Sequence, residues 1–339
     1  MTHQENGHRL RMDSSPANGH RPVRPLLVAV GDGDEREAAL AYGAEVAAHE
    51  GRGLQLVHVV HPAVGVGVPE TTLVPSPAGR LVGEGLVRRA AEQVRVWTGD
   101  QVPVDVIVRE GAVVDVLLDM SRHVDGVILQ HPQQSRVRRL VTGAVATGVA
   151  TTSPVPVVSV PECWSPSSVP RITVAVHESA PDGALLDRAF STAAARGGSL
   201  TVLHAWFLPS AYDDGCLDRA AVRAWVGRTR EVLEENLAPW RSTYPRIDVQ
   251  VEVQHERPAD ALLSASRNSS LLLLGRRDQV HPTAHLGSLT AALLRESLCP
   301  VEVVPQVSVA DEPGEQLDVL DEVPVAEEPV EHTLMSRRT

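Results

Sequence analysis

The chain has 339 residues, 43% of them hydrophobic and 22% charged, and a formal charge of -12, which is material for about two cores of ordinary domain size. No run approaches the roughly 20 apolar residues of a membrane helix; the opening MTHQENGHRLRMDSSPANGH lacks the apolar centre of a signal peptide; and the scarce aromatic residues, 3%, form no basic aromatic surface for nucleic acid. Three cysteines, Cys163, Cys216 and Cys299, make no CxxC and cannot all pair, so a reducing, cytoplasmic setting is expected rather than a disulfide framework.

Residues 1–23 are polar and are expected to be disordered. From residue 24 onward, short runs rich in Val, Leu and Ile alternate with longer stretches of helical period. The strand candidates are 26–30, 54–60, 104–108, 126–130 and 156–160, all reading as buried on both faces. Between them 35–50, 78–97, 111–122 and 142–151 suit helices, with Leu86, Ala90, Val94 and Trp97 on one stripe. ECWSPSSVP, 162–170, is a linker.

After the linker the same unit is written again. LLVAV at 26–30 returns as ITVAV at 172–176, and LQLVHVVHP returns as LTVLHAWFLP, with His58 and His204 in equivalent places. Asp115 matches Asp260, Ser121-Arg122 matches Ser266-Arg267, and TGAVATGVATTSPVPVVSVP matches LGSLTAALLRESLCPVEVVP, the offset staying between 144 and 146 residues. In the second copy Val222, Trp225, Val226, Thr229, Leu233 and Leu237 make the helical stripe. Five alternations of strand and helix per copy argue for two tandem α/β domains, each with a five-stranded parallel sheet covered by helices on both faces. The two sheets are expected to be separate, burying their closing segments against each other. The segment 307–339 carries nine acids against two arginines and is expected to be an acidic disordered tail.

Open parallel sheets take ligands beyond the carboxyl ends of their strands. In the second copy the fourth strand ends at Gly275 and the next helix starts near Gly287-Ser288. Glycine there admits a phosphate close to the backbone, the helix start offers free N–H groups, and Ser288 adds a hydroxyl. Arg276 and Arg277 supply positive charge. The same residues also suit a plain turn at Gly275 and a cap at Ser288.

The duplicated unit, the VAV opening strand, LTVLHAW, ADALL and the ending LGSLT…CPVEVVP resemble the universal stress protein family in its tandem form, over 24–161 and 171–306. The resemblance implies that 24–161 and 171–306 are two tandem Rossmann-like doubly wound domains of strand order 3-2-1-4-5, paired through their last strands, here 155–160 and 300–305, which makes the chain an intrachain pseudo-dimer. It also implies G-x2-G-x9-G-[S/T] after the fourth strand of nucleotide-binding members, with an aspartate ending the first strand. The first copy has Gln130, Gln133, Gly143 and Ala144 on that spacing, with Gly31 in the aspartate's place and Asp32 one residue out of register. No nucleotide is expected there, and Arg136, Arg138 and Arg139 read as a solvated loop. The second copy keeps Gly275, Gly287 and Ser288, but Asp278 replaces the middle glycine, the loop is one residue short, and His177 stands at the aspartate position. An Asp278 carboxylate facing a polyphosphate repels it unless a cation intervenes.

His281 and His285, four apart with Asp278 nearby, have metal-ligand spacing, but Pro282 between them breaks the helix that spacing needs. His58 and His204 read as satisfied structural histidines, and Cys299 as a packed thiol. Three functions stay open. The first is a non-enzymatic stress-response module with degenerate nucleotide sites, working through ligand sensing or a protein partner not identifiable from sequence. The second is a competent sensor binding ATP or AMP in the second domain through Gly275, Arg277, Gly287, Ser288 and His177. The third, an ATP hydrolase or adenylyl-transfer enzyme, has no recognisable general base, metal site or nucleophile. Further pairing into a homodimer stays open as well.

Overall fold

The computed structural model describes residues 24–31, 38–61, 63–64, 73–74, 77–131, 136–176, 182–207, 218–276 and 287–306. In the first half, strands β1 (Leu26–Ala29), β2 (Leu54–Val60), β5 (Val104–Glu110), β6 (Gly126–His131) and β7 (Val157–Pro161) alternate with helices α1 (Ala38–Glu50), α2 (Pro77–Thr98), α3 (Val113–Ser121) and α4 (Arg136–Thr152). A small antiparallel ladder, β3 (Ala63–Val64) with β4 (Leu73–Val74), follows β2. The second half repeats the plan with β8 (Arg171–Val176), β9 (Ser199–Trp206), β10 (Val249–His255), β11 (Leu271–Gly275) and β12 (Val301–Val304). Its helices are α5 (Gly183–Arg196), α6 (Arg219–Thr243), α7 (Pro258–Ala265) and α8 (Ser288–Glu296).

Within each half every main-sheet pairing is parallel and the order is 3-2-1-4-5, β5-β2-β1-β6-β7 and β10-β9-β8-β11-β12. The separate sheets expected from sequence are not found. β7 and β12 pair antiparallel, Val301 with Ser159, Glu302 with Val158 and Val303 with Val157, to give one ten-stranded sheet. The cause is physical: each closing strand presents a row of backbone donors and acceptors along its outer edge, and the other half supplies the matching row.

The repeat extends to details of capping. α1 and α5 both end at a left-handed glycine, Gly51 with φ 64° and Gly197 with φ 62°, a conformation glycine adopts without a Cβ penalty. α5 starts at Asp182, whose carboxylate accepts from the Ala184 N–H at 2.9 Å. Packing differs between the two faces. One face carries two separate cores, the first under α1 and α2 around Leu40, Leu56 and Val94, the second under α5 and α6 around Leu186, Phe190 and Leu233. On the other face a single core runs through both halves, joining Leu117, Val149 and Val157 to Leu262, Leu293 and Val301. The join is therefore sealed by apolar burial as well as by the strand ladder.

Three local expectations are corrected. β5 is not buried on both faces: it is an edge strand, and Asp105, Val106, Arg109 and Glu110 are exposed. Trp97 closes the apolar stripe of α2 but lies 46% exposed, because the helix runs past the end of its core. Arg136, Arg138 and Arg139 belong to the first turn of α4 and not to a loop.

Candidate functional site

The carboxyl ends of the strands in the two halves are built differently. In the second half, β11 ends at Gly275, where an added β-carbon would meet only Leu185 Cδ2, at 3.5 Å. That is ordinary contact, so packing does not require glycine there. Gly287 is the N-cap of α8, with φ -52° and ψ 147° and no side chain capping the helix start. A β-carbon at Gly287 would touch none of the described residues within 4 Å. Ser288 is the first helical residue, so it does not serve as the cap that the alternative reading gave it. Arg276 faces away from any phosphate role. Its N–H donates to the Val304 carbonyl at 2.8 Å and its guanidinium to the Ser153 carbonyl at 2.6 Å, across the join. Arg277, Asp278, His281, His285 and His177 lie outside the described residues.

In the first half the equivalent space is used by the protein itself. Gln130, at the position of Gly275, sends its side-chain oxygen to accept from the Ala39 N–H at 3.2 Å, in the first turn of α1. α4 begins at Arg136, so Gly143, at the position of the helix-start glycine, is an interior residue whose N–H is taken up by the ordinary i to i−4 bond. Neither the close backbone approach nor the open helix start survives.

The recurring histidines are structural, as the sequence suggested. His58 Nδ1–H donates to the Val30 carbonyl at 2.9 Å and His204 Nδ1–H to the Val176 carbonyl at 3.1 Å, each tying the second strand to the end of the first. Burial holds the pKa of His204 below its ordinary value. Around it stands an aromatic group that motif reading missed: Trp206 stacks on His255 with centroids 4.2 Å apart and lies 4.3 Å from Trp225, while Arg257 sits 5.2 Å over the Phe207 ring. The indole N–H of Trp206 is buried and has no acceptor among the described residues, at the same end of the sheet as Gly275. The signal in the sequence was Trp206 and Trp225, which read there as the end of an apolar strand and a member of a helical stripe.

A cleft of about 360 Å³ opens at the opposite, amino end of the second-half strands, lined by linker residues Cys163 and Trp164 and by Arg171, Arg267, Ser270 and Cys299. Its hydroxyls have structural work: Ser270 Oγ bonds both the Arg171 N–H and carbonyl, and Ser269 Oγ bonds the Ala265 carbonyl. The chemistry of this fold lies at the other end of the sheet. Cys299 is buried and its pKa is pushed up to about 12 by that burial, which makes it a packed thiol. Among the described residues no group of three or more His, Cys, Asp or Glu could hold a metal, and no helix is long and apolar enough to cross a membrane.

Two doubly wound α/β units, joined edge to edge through their fifth strands, define a tandem α/β protein with Rossmann-like halves. The profile of the universal stress protein family matches residues 22–161 and again 169–305, and the chain belongs to that family. Universal stress protein Rv1996 of Mycobacterium tuberculosis is 30% identical over 206 residues, 59% of this chain and 65% of that relative, so the match spans under two thirds of its length. Universal stress protein Rv2005c of the same organism is 27% identical over 295 residues, 84% of this chain and 98% of the relative. Among solved structures, a universal stress protein from Archaeoglobus fulgidus superposes with a TM-score of 0.59 at 17% identity, over 84% of this chain and 98% of that one.

Proposed function

We propose that the chain is a non-enzymatic stress-response module in which only the second half senses a ligand, an adenine nucleotide such as ATP or AMP. One observation carries this reading: the two crevices are unequal. In the first, Gln130 is bonded to the first turn of α1 and α4 already starts at Arg136, while in the second α8 starts at Gly287-Ser288 without a side-chain cap, and a β-carbon at Gly287 meets none of the described residues within 4 Å. A helix N-terminus with free N–H groups favours a phosphate, and the Trp206 indole, buried with no acceptor among the described residues, is a further polar group at that end of the sheet. Arg277 and His177 are assigned to the same site from the sequence. No step of catalysis is proposed, since no described side chain is placed as base or nucleophile. A partner protein would read the ligand state from the surface of the second half.

The test is the nucleotide retained on the purified full chain. Gly287→Val should abolish retention without lowering the thermal midpoint by more than a few degrees, whereas Gly143→Val should leave retention unchanged. Equal loss in both variants, or none in either, contradicts the assignment to the second half.

A further inference from the structure

The join between the halves contains a set of charges whose arrangement follows the duplication. Glu302 pairs with Val158 in the β7–β12 ladder, and at the 144-residue offset of the closing segments each is the other's equivalent. The pseudo-two-fold axis therefore passes through this pair. On the helices, α1 and α5 align at an offset of 146, as the left-handed Gly51 and Gly197 show, so Tyr42 corresponds to Arg188 and Glu50 to Arg196. The observed cross-contacts are the two symmetry-related versions of one contact. Arg196 donates to the Tyr42 hydroxyl at 2.7 Å, and Arg188 stands 3.7 Å from Glu50 while bonding Glu302 at 2.6 Å. Glu302 is fully buried and its second oxygen has no partner among the described residues. Arg52 completes the group by bonding the other oxygen of Glu50 at 2.6 Å.

We infer that these residues are an identity code for the closing edge, one that admits a first-half surface as the partner of β12 and refuses a second copy of the second half. Between unlike halves the code balances: three guanidinium groups, Arg52, Arg188 and Arg196, meet three carboxylates, Glu50, Asp125 and Glu302, and a phenol. Between two second halves the same axis would set the fully buried Glu302 against a second Glu302, and each partly buried Arg188 against an Arg196, with four guanidinium groups facing two carboxylates. Uncompensated buried charge of that kind is strongly unfavourable, and like-charge juxtaposition is how interfaces reject wrong partners. Two first halves would meet without Arg188 and Arg196, leaving Tyr42 against Glu50. The surface that a duplicated ancestor shared has thus become complementary, and any exchange between chains must pair β12 with a β7.

The full chain tests this by recreating the rejected contact inside it. Val158→Glu places a second carboxylate opposite Glu302, Val158→Gln adds the same bulk without charge, and Val158→Glu with Glu302→Val moves the single charge to the other side of the axis. Val158→Glu should lower the thermal midpoint by about 5–10 °C more than Val158→Gln. The excess should shrink in acid, where one carboxylate takes up a proton, and the double variant should recover most of it. If Val158→Glu fails to fold while the double variant folds, the inference is supported. Equal midpoints for Glu and Gln at 158, or a double variant as damaged as Val158→Glu, would overturn it.

Discussion

Gly83 of α2 stands against the imidazole of His58: a β-carbon at residue 83 would lie 2.6 Å from His58 Cδ2, with Val108 Cγ1 at 3.3 Å and Val60 Cγ2 at 3.4 Å. The helix can approach the sheet this closely because residue 83 has no side chain, and the ring it presses on is already tied to the Val30 carbonyl.

Gly83→Ala should therefore cost about 1–3 kcal/mol of stability, the range for overpacking a close-packed contact, even though alanine is the better helix former. Chemical denaturation of the full chain measures it. A stabilised variant would mean that α2 shifts outward freely.

His204 makes stability depend on pH. Its folded pKa lies below the ordinary 6.5 because burial disfavours the imidazolium. Below about pH 6.5 the unfolded chain therefore binds a proton that the folded protein resists. The contribution is fully present above that pH and is lost as the pH falls through and below it. Thermal midpoints between about pH 5 and 7.5 should fall toward acid, and His204→Asn should flatten part of that slope. An unchanged slope would exclude His204 as a source.

Cys299 should resist a thiol-alkylating reagent at neutral pH in the folded chain, since the thiolate is the reactive form and burial pushes the pKa to about 12. Cys163 is exposed and should label readily. Mass spectrometry of tryptic peptides separates the two, and rapid labelling of Cys299 would show that the cleft beneath the linker opens.

Much of this architecture was legible in the sequence because duplication prints the same signal twice. Alternating Val-rich runs and helical stripes, repeated at an offset of 144 to 146 residues, marked the strands of each copy and their parallel sense, the strand order was implied by the family resemblance, and His58 and His204 were readable as structural because they sit at the ends of buried strands. The continuity of the sheet was not legible: whether two closing strands stack or hydrogen-bond depends on edges, and edges leave no mark in hydrophobic period. β5 looked like a buried strand for the same reason. At the candidate site, Gly275, Gly287 and Ser288 were proposed from spacing and family resemblance, but the way the first half departs from that plan was hidden. No motif announces that Gln130 reaches the Ala39 N–H, or that α4 starts at Arg136 and absorbs Gly143. The charges at the join were equally silent, since Tyr42, Glu50, Arg188 and Arg196 acquire meaning only once the two halves face each other.

The most direct measurement of functional asymmetry between the halves is the number of adenine nucleotides bound per chain, from equilibrium titration of the intact protein with ATP and with AMP. One nucleotide per chain, lost on Gly287→Val and kept on Gly143→Val, is the expected result. Two per chain, or one that survives Gly287→Val, would contradict a single sensing half.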